Sequence, residues 1–282
     1  MKRIHLFEFT DLPWYPRVFR RMQTDYLQFA ASMGAGHENL IPLFKRAMKN
    51  AGTAEIVDLC SGGTGPWMHL KKQLEKAGLP VSVRLTDKYP DPEALLRLPE
   101  ADRKGIIYIN EPVDAMKVPR RLKGMRTFFE GFHHFKPEQA VAILQDAVDS
   151  GAAIGVFDAA LKPPFGLILL ALSPFITFLT YLLVTPFLKP RRLSRFIWTY
   201  LIPVVPVLTC WDGIISLLRV YSAGELKELT AKLKPNGFSW ESGLAETGTP
   251  VFLFSYLVGY PAASGGNMEN NEGIKEKNTP YI

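Results

Sequence analysis

The stretch EIVDLCSGGTG, residues 55–65, indicates more about the architecture of this chain than any other segment. Its first half is apolar and β-branched, as expected for a short buried strand, and it runs directly into a glycine-rich turn. Glycine has no Cβ atom, so the backbone N–H groups of such a turn can approach a polar ligand closely. The apolar residues of WMHLKKQL, residues 67–74, then recur at helical spacing. A strand, a glycine turn and a helix N-terminus predict a ligand site at the carboxyl end of a parallel sheet.

The bulk composition is that of a folded protein with a modest basic excess. The chain has 282 residues, of which 47% are hydrophobic and 21% charged, and this predicts one large domain or one domain with an elaboration. A net charge of +6 suits an anionic lipid or substrate as well as nucleic acid, and no motif that reads nucleic acid is visible. The two cysteines, Cys60 and Cys210, are far apart, which argues against a disulfide framework or a cysteine zinc site. The N-terminal MKRIHLFEFTD carries acids where a secretory signal needs an apolar run, so we predict a cytoplasmic protein.

Strand and helix patterns alternate between residues 52 and 160, which predicts a doubly wound parallel sheet. The predicted strands are Glu55–Cys60, Val81–Thr86, Ile106–Ile109, Arg126–Glu130 and Ala152–Phe157. Further along, a helix is predicted over Ala223–Leu233. Two strand-like runs, Phe238–Glu241 and Val251–Val258, follow it and predict a closing antiparallel hairpin.

Acidic residues stand at the ends of successive predicted strands. Asp87 follows the second strand, Asp114 the third, and Glu130 ends the fourth. Because the carboxyl ends of parallel strands meet at one edge, we expect these acids around one crevice. The acid after the second strand can accept hydrogen bonds from both hydroxyls of a ribose. This much negative charge would repel the pyrophosphate of a dinucleotide but would attract a cationic sulfonium nucleoside.

The order of these segments resembles that of class I S-adenosylmethionine-dependent methyltransferases, over residues 52–160 and 212–260. The resemblance implies a seven-stranded, mostly parallel Rossmann-like sheet with a C-terminal antiparallel hairpin, and S-adenosyl-L-methionine as cofactor. By position, Asp58 matches the acid near the amino-acid end of the cofactor and Gly62 the central glycine. Asp87 matches the acid that binds the ribose, and Asp114 the acid that contacts the adenine amino group.

The glycine turn departs from the family's usual pattern. Cys60 stands where the first glycine usually sits, and Thr64 stands where the third is expected, between Gly63 and Gly65. The predicted cofactor-binding residues are Asp58, Cys60, Gly62, Gly63, Gly65, Asp87, Asp114 and Glu130. Taken singly, Asp58 could instead cap a helix, and Asp87 could open the turn over residues 88–91.

His133 and His134 follow the fourth strand and are the predicted catalytic residues. On an extended segment adjacent side chains point to opposite faces, so the two histidines would not easily bind one metal, and we predict no metal site. The resemblance places this segment beside the methionine end of the cofactor and the acceptor. One histidine could then act as a general base on a hydroxyl or amine. Alternatively, the pair only shapes the pocket.

An apolar insert interrupts the alternation. Residues 165–188 carry no charge, a basic cluster of Lys189, Arg191, Arg192 and Arg195 follows, and residues 196–211 are again uncharged. A single membrane crossing would separate the last two strands from their sheet, and a two-pass hairpin would translocate the basic cluster. The prolines favour broken helices. We therefore favour a helical pair that dips into one leaflet with the basic turn at the headgroups. The alternatives are a soluble lid over an apolar substrate and a dimer interface.

These observations predict four regions. Residues 1–50 form an N-terminal helical cap, residues 51–162 and 212–260 the cofactor-binding domain, residues 163–211 the apolar insert, and residues 261–282 a disordered tail. The predicted function is methyl transfer from S-adenosylmethionine to a small lipophilic acceptor, with a peripheral or monotopic position on the inner face of a membrane. The alternative is a non-catalytic, membrane-associated nucleotide-binding or scaffolding protein. A dehydrogenase is disfavoured because no Tyr-Lys or Ser-Tyr proton relay is apparent. We expect no nucleic acid partner, and the sequence leaves the oligomeric state open.

Overall fold

The computed structural model of the protein describes residues 3–33, 36–97, 99–162, 166–234 and 237–262. Within these residues, seven strands form one sheet in the order β3-β2-β1-β4-β5-β7-β6. The strands β1 to β5 are parallel, and β7 runs antiparallel to both β5 and β6. Their bounds are β1 Glu55–Leu59, β2 Ser82–Leu85, β3 Ile106–Tyr108, β4 Met125–Phe129, β5 Ile154–Leu161, β6 Phe238–Glu246 and β7 Phe252–Pro261.

Helices cover both faces of the sheet. Alternate strand residues point to opposite faces, so β1 contributes Ile56 to one core and Val57 to the other. The first core packs under α2 and α3, around Phe44 and Trp67, and the second packs under α4 and α8. The α-helices are α1 Arg17–Met33, α2 Ile41–Ala51, α3 Trp67–Lys76, α4 Pro137–Asp149, α5 Gly166–Val184, α6 Leu193–Phe196, α7 Val204–Arg219 and α8 Ala223–Thr230.

The predicted fold class is confirmed. Each predicted strand corresponds to an observed one, and the last two form the expected antiparallel pair, although β6 and β7 extend further than predicted. The boundary predicted between residues 211 and 212 falls within α7, which runs without interruption from the insert towards the domain. Residues 163–165 and the predicted disordered tail from residue 263 onward lie outside the described residues.

The apolar insert forms helices whose outer surface is exposed. Among the described residues, the helix Gly166–Phe187 is long and apolar enough to cross a membrane, and little of it is buried. The helical segments Leu193–Leu201 and Val204–Arg219 would do so only as a pair, and they are bent by 77°. The break falls at Pro203, which precedes α7, whereas Pro174 lies inside α5 and does not end it. The break that the prolines predict is therefore present at Pro203, and the prediction is wrong for Pro174 and Pro206, which lie inside α5 and α7.

The basic cluster of the insert does not face solvent as a unit. Arg195 is 1% exposed and donates hydrogen bonds to the carboxylate of Asp25 and to the carbonyl oxygens of Leu188 and Pro190. The prediction that all four basic residues meet lipid headgroups is thus wrong for Arg195, because a buried carboxylate of α1 neutralises it. Lys189 and Arg191 are exposed.

Candidate functional site

The glycine turn, residues 60–65, leaves β1 in a left-handed conformation. Cys60 has a φ of 57°, Gly62 of 55° and Gly65 of 51°. For a residue with a Cβ atom this region costs roughly 1–2 kcal/mol, so Cys60 adopts the backbone that a glycine would take without strain. The conformation agrees with its place in the motif as the residue that replaces the first glycine. The Ser61 N–H donates to the Thr86 carbonyl at 2.9 Å, which ties the turn to the end of β2.

Asp58 lies beneath the glycine turn. Its carboxylate is 1% exposed and accepts hydrogen bonds from the hydroxyls of Ser61 and Thr127, each at 2.6 Å. Burial raises the pKa of Asp58 to about 6, despite these hydrogen bonds. The side chain is therefore used within the protein, and it can support a ligand only through the shape of the turn.

Asp87 and Asp114 lie half-buried at the ends of β2 and β3. The carboxylate of Asp87 accepts from the Gly62 N–H at 2.8 Å and from the Tyr89 N–H at 2.7 Å, so it joins the glycine turn to the segment after β2. Asp114 accepts from the Met116 N–H at 2.9 Å. Burial, together with the charges of Asp87, Asp58, Asp114 and Asp158, raises the pKa of the Cys60 thiol well above its usual range. Carboxylates that lie on or after four strands are thus close enough to Cys60 to act on its thiol.

Glu130 continues the site from the end of β4. It has a φ of 54°, and its Oε1 accepts from the Ala159 N–H at 2.9 Å. Burial and the charge of Asp158 raise the pKa of Glu130 to about 8, although solvent reaches the side chain. We refer to the solvent-accessible space beside the Glu130 side chain as the recess. A Cβ atom on Gly131 would lie 3.0 Å from that of Cys60, so Gly131 packs closely against Cys60.

The histidine turn, Phe132–His134, is a 3-10 turn and not an extended segment. The rings of His133 and His134 consequently stack, with centroids 4.4 Å apart. The expectation that they point to opposite faces is wrong, because the chain turns tightly as it leaves β4. His133 is 2% exposed, its Nε2 lies 2.8 Å from Ser216 Oγ, and its Nδ1 lies 3.4 Å from Asp158 Oδ1.

His134 belongs to a charge network with Glu8, Asp11 and Arg219. Its Nδ1 lies 2.7 Å from Asp11 Oδ1, and the Arg219 guanidinium donates to Glu8, to Asp11 and to the His134 carbonyl at 2.7–2.9 Å. Burial lowers the pKa of His134, but the Glu8 and Asp11 carboxylates outweigh burial and raise it to about 9. His134 is therefore cationic at neutral pH. Arg3 donates to the carbonyls of His133 and Phe135, each at 2.9 Å, so the N-terminal segment clamps the histidine turn.

Helix α1 covers the glycine turn. The Gln28 amide accepts from the Thr64 N–H at 2.7 Å and donates to the Gly65 carbonyl at 2.9 Å. A Cβ atom on Gly63 would lie 3.0 Å from Gln28 Oε1 and 3.3 Å from Thr24 Cγ2, so the side chains of α1 would have to shift slightly to admit one. Gln28 satisfies backbone groups of the turn and holds its shape.

Sequence reasoning missed several residues of the site. Asp158 stands in β5 beside Glu130 and would have been found if the predicted fifth strand had been extended by one residue. Glu8, Ser216 and Arg219 carry no local signal, because they reach the histidine turn from segments distant in sequence.

Comparisons with known proteins bear on the fold. No protein-family model matches the sequence, and no curated protein matches it at a significant level. The crystal structure of TnmH matches with a TM-score of 0.50 at 12% identity, over 89% of this chain and 60% of TnmH. This similarity and the sheet with its antiparallel C-terminal pair agree with the resemblance seen in sequence. The chain has a class I methyltransferase fold.

Other solved structures with the methyltransferase fold match more loosely. Human N-acetylserotonin methyltransferase in complex with SAM gives a TM-score of 0.48 at 14% identity, over 86% of this chain and 56% of that one. CalO1, a methyltransferase in calicheamicin biosynthesis in its SAH-bound form, gives 0.42 at 18% identity, over 80% and 53%. The present chain thus spans 60% or less of the length of these three proteins.

Proposed function

We propose that the protein transfers the methyl group of S-adenosylmethionine to a small lipophilic acceptor. The observation that carries this proposal is the ring of carboxylates around a glycine turn at the carboxyl end of a parallel sheet. Asp87 and Asp114 approach the turn from the ends of β2 and β3, and Asp58 supports it from below. Glu130 follows β4 next to Gly131, which packs against Cys60. A cationic sulfonium is attracted to such a site, and a phosphate is repelled.

The carboxylates retain the capacity to bind a nucleoside. A carboxylate offers about four lone-pair directions, and Asp87 uses two of them on backbone N–H groups. The remaining two suit the hydroxyls of a ribose. Asp114 accepts from one backbone N–H through Oδ1, and its Oδ2, which lies 3.4 Å from the Lys88 ammonium, keeps a further lone pair for the amino group of an adenine. The amino-acid end of the cofactor would then lie over the glycine turn, near Thr24 and Gln28 of α1.

Catalysis would come mainly from positioning. In-line attack on a sulfonium methyl needs the acceptor atom and the sulfur held in one line, and such orientation lowers the barrier by several kcal/mol. Of the two histidines, His133 is the one placed beside the acceptor in this proposal, because its Nδ1 faces Asp158 and Glu130. His134 is engaged by Asp11 and acts as a positioning residue for the histidine turn.

The apolar insert supports a lipophilic acceptor and a membrane surface as its source. Phe175 is 73% exposed, Leu167 69%, Leu183 62% and Leu179 56%, so α5 presents a continuous apolar face. Apolar surface of this extent marks a partner or a membrane, and the exposed Lys189 beside it suits anionic headgroups. The sheet strands on either side of the insert, β5 and β7, pair directly, so we assign the insert to one leaflet.

Calorimetry with S-adenosylhomocysteine tests the cofactor site. We expect one molecule bound per chain, and an affinity lower by roughly 10- to 100-fold for Asp87→Asn, since hydrogen bonds to a charged group contribute about 1.5–3 kcal/mol. Glu111→Gln is the matched control. Like Asp87, Glu111 follows a strand at the carboxyl edge of the sheet, but its side chain is 71% exposed. Equal affinities of Asp87→Asn and the control would contradict the assignment. Transfer of labelled methyl groups from the cofactor into a lipid extract separates an enzyme from a pure binding protein, which would yield no product.

Vesicle sedimentation tests the membrane surface. The wild-type chain should pellet with vesicles of phosphatidylglycerol, and Phe175→Asp should remain largely in the supernatant. Leu96→Asp is the control, because Leu96 is 64% exposed but lies outside the insert. If both variants partition like the wild type, the leaflet assignment is wrong. If Phe175→Asp instead changes the oligomeric state, the face of α5 is a dimer interface.

A further inference from the structure

The structure holds a cluster of three possible metal ligands at the acceptor end of the recess. We propose that Glu130, His133 and Asp158 form a binding site for a divalent cation. Their ligand atoms all lie within 4.8 Å of one another. Glu130 follows β4, His133 lies on the histidine turn, and Asp158 lies in β5, so neighbouring parts of the sheet hold all three. The sequence alone predicts no metal site, because it treats the two histidines as an extended segment with side chains on opposite faces.

Two of the three ligand atoms are buried without a hydrogen-bond partner. His133 Nδ1 and Asp158 Oδ1 make no hydrogen bond to any described residue, and both side chains are 2% exposed. A buried polar atom without a partner costs roughly 1–3 kcal/mol, and more when it is charged. Native proteins rarely retain such a pair face to face, so these atoms indicate a missing ligand.

The surroundings of His133 suit a proton on the other ring nitrogen. Nε2 lies 2.8 Å from Ser216 Oγ, a hydroxyl that can accept or donate, and 3.7 Å from the Glu8 carboxylate, which favours a proton on Nε2. A proton on Nε2 leaves the Nδ1 lone pair directed at Asp158. A lone pair facing a carboxylate is repelled unless a cation lies between them. The Ser216 contact is the outer hydrogen bond that orients a metal-binding histidine.

The distances and ligand types fit a metal. Two ligands bound at about 2.1 Å and at a tetrahedral angle lie about 3.4 Å apart, and His133 Nδ1 and Asp158 Oδ1 are separated by 3.4 Å. One imidazole and two carboxylates suit Mn²⁺, Fe²⁺ or Zn²⁺ better than Ca²⁺. Three protein ligands leave coordination positions of the metal open. Because Glu130 is exposed to solvent, these open positions would face the recess.

A second group of possible ligands, Glu8, His133 and His134, is less suited. Arg219 donates to Glu8, and Asp11 engages His134, so the atoms of this group are already used. A cation there would also lie beside the Arg219 guanidinium, which would repel it.

The role of the cation rests on the proposed function. A hydroxyl of the acceptor bound to the metal would have its pKa lowered and would lose its proton to solvent at the mouth of the recess. The resulting oxygen anion forms a bond to the methyl carbon as the bond from carbon to sulfur breaks. The products are a methyl ether, neutral S-adenosylhomocysteine and the released proton. His133 would then be a metal ligand and not a general base.

Titration of the full chain with Mn²⁺, followed by calorimetry and by the electron paramagnetic resonance of free Mn²⁺, tests the site. We expect one ion per chain, and an affinity lower by roughly tenfold or more for both Glu130→Gln and Asp158→Asn. Glu130→Gln alters a solvent-exposed side chain, which keeps the test valid if Asp158→Asn fails to fold. His69→Gln is the control, because His69 is exposed on α3, and it should bind Mn²⁺ like the wild type.

The inference is wrong if no saturable binding occurs up to about 1 mM Mn²⁺, or if Glu130→Gln and Asp158→Asn bind as tightly as His69→Gln. Binding of S-adenosylhomocysteine in the presence of a chelator is measured on the same samples. Cofactor binding without Mn²⁺ binding overturns the cation site and leaves the proposed function standing. Mn²⁺ binding without cofactor binding overturns the proposed function and leaves the cation site standing.

Discussion

Replacement of Arg195 should destabilise the protein far more than replacement of its neighbour Arg191. The Arg195 guanidinium and the Asp25 carboxylate are each 1% exposed and hydrogen-bonded to each other. The pair joins the basic segment of the insert to α1, the helix that covers the glycine turn. In Arg195→Met the Asp25 carboxylate would stay buried without its cation.

The magnitude follows from the burial of both charges. Removing one partner of a buried pair costs about 3–5 kcal/mol, whereas replacing both often restores part of the loss. For a chain of this size 1 kcal/mol shifts the melting temperature by roughly 2–4 °C. We therefore expect Arg195→Met to melt about 10 °C below the wild type, and the double variant with Asp25→Asn to melt higher than Arg195→Met. Arg191→Met should have the same melting temperature as the wild type, since the Arg191 side chain is exposed.

Differential scanning fluorimetry and vesicle sedimentation on the same variants separate the two arginines. Arg195→Met should lower the melting temperature but leave vesicle binding of the folded protein unchanged. Arg191→Met should weaken vesicle binding but leave the melting temperature unchanged. If Arg195→Met and Arg191→Met have the same melting temperature, the buried ion pair does not hold the insert on α1. If it also weakens vesicle binding, Arg195 faces the headgroups as its sequence context suggested.

Three further predictions concern the sheet and the glycine turn. Asp58→Asn should remove a pH dependence of stability. Because the pKa of Asp58 is about 6 in the folded chain, that chain binds more protons than the unfolded chain between pH 4 and 6, so the wild-type unfolding free energy should fall by about 3 kcal/mol as the pH rises through this range. Urea titrations that give the same pH dependence for both proteins would refute this. Gly259→Ala should destabilise by several kcal/mol, because its Cβ would lie 2.2 Å from the Trp240 ring. Gly224→Ala on α8, with nothing within 4 Å, should be neutral or stabilising, and equal melting of the two would contradict the steric argument. The Cys60 thiol should alkylate more slowly at pH 8 than free glutathione, because its raised pKa leaves little thiolate, and mass spectrometry showing rapid labelling would disprove this.

The strands and the glycine turn were accessible from sequence because each is specified locally. Residues 55–65 contain both the apolar strand and the turn that ends it, and Asp87 and Asp114 follow from the rule that parallel strands end at one edge. The left-handed backbone of Cys60 agrees with its place in the motif, although cysteine itself gives no sign of it.

The rest of the site depends on contacts between distant segments. Arg219 of α7 pairs with Glu8, which is 211 residues away in sequence, and Arg195 of α6 pairs with Asp25 of α1. Neither pairing has a sequence pattern. A basic run normally indicates an exposed face, and that expectation fails at Arg195 because its partner lies in α1. The histidine turn is only three residues long, too short for any periodicity to distinguish it from an extended segment.

The place of β7 in the sheet has a consequence for synthesis. β5 pairs with β7, whose residues follow the insert and leave the ribosome after those of β1 to β6. At about 5–20 residues per second, Phe252–Pro261 emerge roughly ten seconds after β5. During this interval that edge of β5 is unpaired while α5 is already able to aggregate. The nascent chain should therefore need a chaperone or an early encounter with lipid to reach the native state in good yield.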